Sequence, residues 1–250
     1  MTTATSPTRY ALLIPALNEA ESIGRVVAQV PKGLFFQVIV VDNGSDDGTA
    51  EVARAAGAWV VREPRRGYGQ ACLAGLDQLH PGIAAVAFMD ADLSDDPDDL
   101  ARIVQFFDEG RWDMVLGSRV LGNPQPGSLT PFQRFGNRLS TLLIRWLWHM
   151  PFTDLGPMRI VSRRALDTLG LEDRDFGWNV EMQAKAARLR LRVREIPVSY
   201  RRRASGRSKI SGTLVCSIRA GLKIIWTIYH CWRIRLNVKE VVPTPGAHKV

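Results

Sequence analysis

From Tyr10 onward, short apolar runs alternate with polar turns and with amphipathic segments of helical length, and this alternation constrains the fold more than any other feature of the chain. Neighbouring strands that run the same way need a long crossover, and a helix is the compact way to make one. Tyr10–Ala16, Gln37–Val41, Ala58–Arg62, Ala84–Met89 and Met114–Gly117 read as strands, being brief, apolar and bounded by turn residues. Between them, Ala20–Val30, Thr49–Ala56, Gln70–Leu79 and Pro97–Glu109 carry helical spacing. The expected fold is α/β, a single domain with a mostly parallel sheet flanked by helices. No linker of Pro, Gly or Ser divides the 250 residues and no internal repeat is present, so one domain is expected over 9–232, with 233–250 as a flexible tail.

Open parallel sheets bind ligands beyond the carboxyl ends of their strands. Here those positions are polar: Asn18 and Glu19 follow the first strand, Asp42 to Ser45 the second, Asp90 and Asp92 the fourth, and Ser118 and Arg119 the fifth. Asn18, Ser45 and Asp95 are equally good helix caps. Capping does not account for Asp90 and Asp92, because the next helix is expected to start at Pro97 and Asp95 and Asp96 stand nearer to it. Two carboxylates this close repel each other unless a cation lies between them, and hard oxygen donors suit Mg²⁺ or Mn²⁺. Such an ion usually takes substrate phosphate as a further ligand, and the net charge of +8 fits a phosphate-bearing partner.

Other classes lack their signatures. No Gly-x-Gly-x-x-Gly follows the first strand, which argues against a dinucleotide-dependent oxidoreductase. A nucleotidyltransferase would carry a Gly-rich basic loop where Pro15-Ala16-Leu17-Asn18-Glu19 stands. The basic charge leaves a non-catalytic phosphate- or nucleic-acid-binding module open, but such a module would not require Asp90 and Asp92, and no nucleic-acid partner is expected. Cys72, Cys216 and Cys231 have no metal-type spacing and read as reduced thiols. With no apolar signal core at the N-terminus, a cytoplasmic protein is expected.

Several motifs occur in one order: LIPALNEAESI at Leu13–Ile23, VVDNGSDDGT at Val40–Thr49, RRGYGQACLAGL at Arg65–Leu76 and MDADLSDDP at Met89–Pro97. GSR at Gly117–Arg119, TDLGPMR at Thr153–Arg159, GWNVEMQ at Gly177–Gln183 and GRSKIS at Gly206–Ser211 follow. Together they resemble family 2 glycosyltransferases of the GT-A fold, particularly the branch of dolichyl-phosphate mannose synthase and bacterial polyprenyl-phosphate sugar transferases. The resemblance implies inverting, metal-dependent transfer from a nucleotide-diphosphate sugar, with UDP favoured over GDP. It implies that Pro15, Ala16, Asn18 and Glu19 line the nucleotide pocket, that Asp42 accepts from the base, and that Gly67 and Gly69 lie close to the nucleotide. By the same resemblance Asp90 faces ribose and metal and Asp92 binds the metal directly; Arg207 and Lys209, in a Gly-Arg-Ser-Lys segment, are candidates to close over the same phosphates.

The acceptor determines whether a base is needed. A hydroxyl must lose a proton, whereas a polyprenyl phosphate is already an anion. Glu181 is the candidate base, with Asp154 behind it, and the resemblance makes Arg119 and Arg134 the contacts of an acceptor phosphate. If Pro131–Trp148 is helical, Arg134, Arg138 and Arg145 share one face opposite Leu139, Leu142, Leu143, Trp146 and Leu147. Leu214–Trp232 is apolar but interrupted by Arg219 and Lys223, so it should not span a bilayer. Its stripe of Leu214, Ile218, Leu222, Ile225 and Tyr229 fits an amphipathic C-terminal helix that rests on the inner face of a membrane, packs on the domain or makes an oligomer contact.

Overall fold

The computed structural model describes residues 9–122, 124–203 and 214–234. Among them, seven strands form one sheet in the order β3-β2-β1-β4-β6-β5-β7. The strands are β1 (Arg9–Ala16), β2 (Gln37–Asp42), β3 (Trp59–Arg62), β4 (Ile83–Phe88), β5 (Met114–Ser118), β6 (Arg159–Ser162) and β7 (Val193–Pro197). The helices are α1 (Ala20–Gln29), α2 (Thr49–Ala55), α3 (Tyr68–Leu76), α4 (Asp99–Gly110), α5 (Pro131–Trp148), α6 (Arg163–Leu169), α7 (Trp178–Arg188) and α8 (Leu214–Arg233). β6 runs antiparallel to both β4 and β5, while the remaining pairings are parallel.

Period-two alternation in the central strands divides the interior. Leu12, Ile14, Val40, Ala87 and Val115 face α1, α2 and α4, while Leu13, Val41, Val86, Phe88 and Leu116 face α3 and α5 to α8. Both faces are covered, which is why the strands read as nearly continuous apolar runs. Pro15 is tolerated in the central β1 because it lies on the Leu13 side, where β4 ends with Phe88 opposite Leu13 and no further ladder bond is lost. On the opposite side β2 continues to Asp42, opposite Ala16.

α5 begins with a full capping box, Thr130 with Gln133, and Pro131 occupies its first turn. Its rotation differs from the expectation: Ser140, Thr141 and Ile144 are buried, while Leu142 and Trp146 lie exposed beside Arg138 and Arg145. The leucine stripe is therefore split, Leu143 and Leu147 packing on the core and Leu142 facing outward. Packing against α7 and α8 sets this rotation. Along α8, Leu222, Ile225, Trp226, Tyr229 and Trp232 are exposed and Thr227, Ile228 and Cys231 are buried. The side chains of Leu214, Cys216, Ile218 and Arg219 lie outside the described residues.

Candidate active site

A cavity of about 400 Å³ opens at the carboxyl edge of the sheet. Its wall takes Pro15, Ala16 and Glu19 from the turn after β1, Asn43 from the end of β2, and Gly67 and Tyr68 from the start of α3. Asp90 and Asp92 enter from the turn after β4, and Asp175, Phe176 and Arg203 from the second half of the chain.

The turn after β4 is built to hold two carboxylates. Leu93 adopts a left-handed conformation, φ 63°, a strain of about 1–2 kcal/mol for a residue with a Cβ. The turn lets Ser94 N–H donate to Asp92 Oδ1 at 2.8 Å. Asp92 Oδ2 lies 2.8 Å from Arg203 Nη2, and Arg203 Nη1 donates to Glu19 Oε1 at 2.6 Å. Tyr68 O–H donates to Asp90 Oδ1 at 3.1 Å. Burial and then the charge of Asp92 push the Asp90 pKa up to about 7. Asp95 is raised as well, by burial and by Asp90 and Asp92, and its buried Oδ1 has no partner among the described residues. Asp95 does not cap α4; its Oδ2 instead accepts from Asp90 N–H.

The expected site residues divide clearly. Pro15, Ala16, Glu19, Gly67, Asp90 and Asp92 meet in the cavity wall. Asn18 does not; it is exposed, left-handed at φ 51°, and ties down the following turn through Asp46 N–H and Ser45 Oγ. Asp42 lies outside the wall, buried, accepting from Ser45 N–H at 3.0 Å. Its neighbour Asn43 is the wall residue, and it braces Gly67 by accepting that N–H at 2.8 Å. Arg207 and Lys209 lie outside the described residues.

Gly67 and Gly69 make room for protein rather than leaving open space. A Cβ on Gly69 would lie 1.9 Å from the Asp173 carbonyl, and one on Gly67 2.1 Å from that of Arg174. The segment 172–177 thus packs onto the first turn of α3, where Gln70 N–H donates to Arg174 O at 2.9 Å. Gly69→Ala is expected to lower stability by about 1–3 kcal/mol through overpacking, read as a drop in urea midpoint with unchanged slope. A midpoint equal to wild type would show that the segment yields without cost.

Glu181, the expected base, is buried among backbone N–H groups and a lysine. It accepts from the N–H groups of Glu172 and Asp173 and pairs with Lys185 Nζ at 2.7 Å, both side chains being buried. Burial with these partners leaves it outside the cavity wall. Asp154 is likewise taken, by a two-pronged contact from Arg119 at 2.8 Å on each arm. Burial opposes the charge of Arg119, but Asp154 holds its pKa above the usual range. Arg119 also lines a second cavity of about 390 Å³ with Arg134, Arg138, Asn137 and Thr141. Its charge reaches Asp90 and partly opposes the rise there, which places the two cavities in one electrostatic neighbourhood.

Residue-by-residue reading overlooked Tyr68, Asp175, Phe176 and Arg203, and it placed Asn43 at the carboxyl edge without a role. Tyr68 and Asn43 stand inside the motifs quoted above, whereas Arg203 ends the basic run Arg201-Arg202-Arg203, with no local signal of a partner near the N-terminus.

A doubly covered, mostly parallel sheet with paired carboxylates at its carboxyl edge and arginines beside them suits an anionic ligand bound together with a cation. The chain belongs to glycosyl transferase family 2, whose family model matches residues 11–170. It is 42% identical over 210 residues to an uncharacterised glycosyltransferase of Mycobacterium tuberculosis, covering 84% of this chain and 93% of that protein. It is 32% identical over 222 residues to an undecaprenyl-phosphate mannosyltransferase of Micrococcus luteus, covering 83% of this chain and 89% of the other. In fold it is similar to glucosyl-3-phosphoglycerate synthase of Mycobacterium tuberculosis solved with Mn²⁺, UDP and glucosyl-3-phosphoglycerate. That match has TM-score 0.74 and 22% identity, covering 92% of this chain and 81% of that one.

Proposed function

We propose that this glycosyltransferase moves a sugar from a UDP-sugar to polyprenyl phosphate at the inner face of a membrane, with Mg²⁺ or Mn²⁺ held by Asp92 and Asp90. The observation that carries the acceptor is the second cavity, whose wall brings Arg119, Arg134 and Arg138 together. Arg134 and Arg138 can meet a phosphate through charged hydrogen bonds, while Arg119, held on Asp154 by Nε and Nη2, adds its charge beside them.

The residues fit a divalent ion. Asp90 and Asp92 offer hard carboxylate oxygens, and Asp92 already draws a cationic group, Arg203, to 2.8 Å. Bound there, the ion supplies Lewis-acid stabilisation of the departing diphosphate. Arg203 adds a second positive charge beside the same carboxylates, and Tyr68 orients Asp90 through its hydroxyl. Pro15, Ala16 and Asn43 form the wall available to the nucleoside.

Because an acceptor phosphate attacks as an anion, no base is required. This agrees with the engagement of Glu181 and Asp154 in structural contacts. A lipid-linked acceptor is favoured by the exposed Leu142 and Trp146 on α5 and Leu222, Trp226 and Trp232 on α8, near Arg145 and Arg233. Exposed apolar side chains with basic neighbours in sequence suit a peripheral contact with an anionic bilayer. Among the described residues no helix is long and apolar enough to cross a membrane.

Arg134→Ala is expected to raise the KM for polyprenyl phosphate by roughly tenfold or more, the loss of a charged hydrogen bond, while the donor dissociation constant stays unchanged. The assay compares polyprenyl phosphate in detergent or anionic vesicles with phosphoglycerate and with neutral alcohols. Transfer to phosphoglycerate alone would replace the lipid with a soluble phosphate ester. Transfer to neutral alcohols alone, with Arg134→Ala silent, would remove the phosphate site altogether.

A further inference from the structure

The segment between α6 and α7 is held from several sides, yet it is short and lies at the surface. Glu181 accepts from Glu172 and Asp173 N–H. Asp173 Oδ1 accepts from Asp175 N–H at 2.8 Å and Gly177 N–H at 3.2 Å. Lys223 of α8 pairs with Asp173 Oδ2 at 2.8 Å. Arg174 lies against α3, its carbonyl accepting from Gln70 N–H and its guanidinium donating to Gln70 Oε1 at 3.2 Å. Buried and paired groups therefore fix the backbone on either side of Asp175 and Phe176, the two residues of this segment that line the donor cavity.

The carboxylates of that cavity wall are not equivalent. Glu19 and Asp92 are paired with Arg203, and Asp90 accepts from Tyr68. The Asp175 carboxylate accepts from Phe176 N–H, and among the described residues no side chain hydrogen-bonds to it. The Asp175 side chain is exposed at the cavity wall; partial burial of its carboxylate and then the charge of Asp173 raise its pKa, and the charge of Lys223 opposes the rise. A carboxylate with free lone pairs can accept from two neighbouring hydroxyls. An adjacent aromatic ring offers an apolar face with a defined direction.

From this geometry we infer that Asp175 and Phe176 recognise the sugar of the donor, Asp175 accepting hydrogen bonds from its hydroxyls and Phe176 packing against its C–H face. The pair determines sugar specificity and takes no part in bond breaking. Its rigid mounting is what discrimination requires, since a hydroxyl displaced by one carbon loses its bond only if the acceptor cannot follow it. The inference rests on the proposed donor reading and adds to it the residues that would tell one hexose from another.

The test separates sugar from nucleotide. Dissociation constants for UDP and for UDP-glucose, UDP-galactose, UDP-N-acetylglucosamine and GDP-mannose, with GDP as reference, are measured by calorimetry in Mn²⁺ for wild type, Asp175→Asn and Phe176→Ala. The expected result is that wild type binds one sugar nucleotide more tightly than its parent diphosphate. Asp175→Asn should weaken that complex roughly tenfold or more and leave the parent diphosphate unchanged. Phe176→Ala should act in the same direction. Equal weakening of sugar nucleotide and diphosphate would make the pair structural and overturn the inference. So would unchanged binding of both, or a wild type that gains nothing from any sugar while still binding UDP. Failure of wild type to bind any nucleotide diphosphate would instead bring down the donor reading on which the inference rests.

Discussion

Asp92→Ala is expected to abolish sugar transfer while leaving the protein folded. Asp92 is buried at the end of the turn after β4, accepts from Ser94 N–H and faces Arg203. Its removal takes away a hard oxygen donor and leaves Asp90 as the remaining carboxylate of the pair, freed of the neighbouring charge that helps raise its pKa. The loss should be about a thousandfold or more, the several kcal/mol that stabilising a departing diphosphate contributes. Stability should change little, because repulsion between Asp90 and Asp92 is relieved as the contact to Arg203 is lost. Initial rates with saturating donor, far-UV circular dichroism and direct Mn²⁺ binding in the presence of UDP check the three parts separately. Activity within tenfold of wild type, or undiminished activity in chelator, would exclude a metal at these carboxylates.

Lys185→Met is expected to be the most destabilising of the conservative substitutions considered. Lys185 and Glu181 lie one helical turn apart on α7, both buried, at 2.7 Å. Lys185 Nζ also donates to Gly170 O at 2.6 Å. Breaking such a pair leaves an uncompensated buried charge and costs about 3–5 kcal/mol. The double variant Glu181→Gln with Lys185→Met should recover part of that loss, because no unpaired charge remains. It also separates position from catalysis. If Glu181 only holds Glu172 and Asp173, the folded double variant transfers sugar to a phosphate acceptor within about tenfold of wild type, whereas loss of a general base would cost on the order of a hundredfold or more. Urea denaturation of the single and double variants, with rates measured below their transitions, distinguishes the outcomes.

Much of the first half was legible because its signals are local. All five expected strands and the four helices between them occur, with no end displaced by more than three residues. β6 was missed: Arg159–Ser162 is short and opens on a fully buried arginine, whose guanidinium is satisfied by backbone carbonyls including Pro157 O at 3.3 Å. β7, Val193–Pro197, alternates in burial as an edge strand and lacks a continuous apolar run. The N-terminal turns illustrate the same limit at smaller scale. Asn18 and Ser45 have the chemistry of helix caps, yet Asp47 bonds to the first turns of both α1 and α2, through Ala20 N–H and Thr49 N–H.

By itself the sequence determined that strands would alternate with helices and that Asp90 and Asp92 would stand at a carboxyl edge, because strand period, crossover length and turn chemistry are properties of neighbouring residues. Only the tertiary structure decided which polar groups remain available to a ligand. Arg203 reaches Glu19 across 184 residues of chain, and Arg119 closes on Asp154 across 35. Glu181 turns away to hold Glu172 and Asp173, while Asp175 is left without a side-chain partner among the described residues. Hydrogen bonds and ion pairs act over about 3 Å, and that distance is set by how helices pack on the two faces of the sheet. Residue type and spacing nominate the acids and bases of such a site; packing decides which of them are already spent.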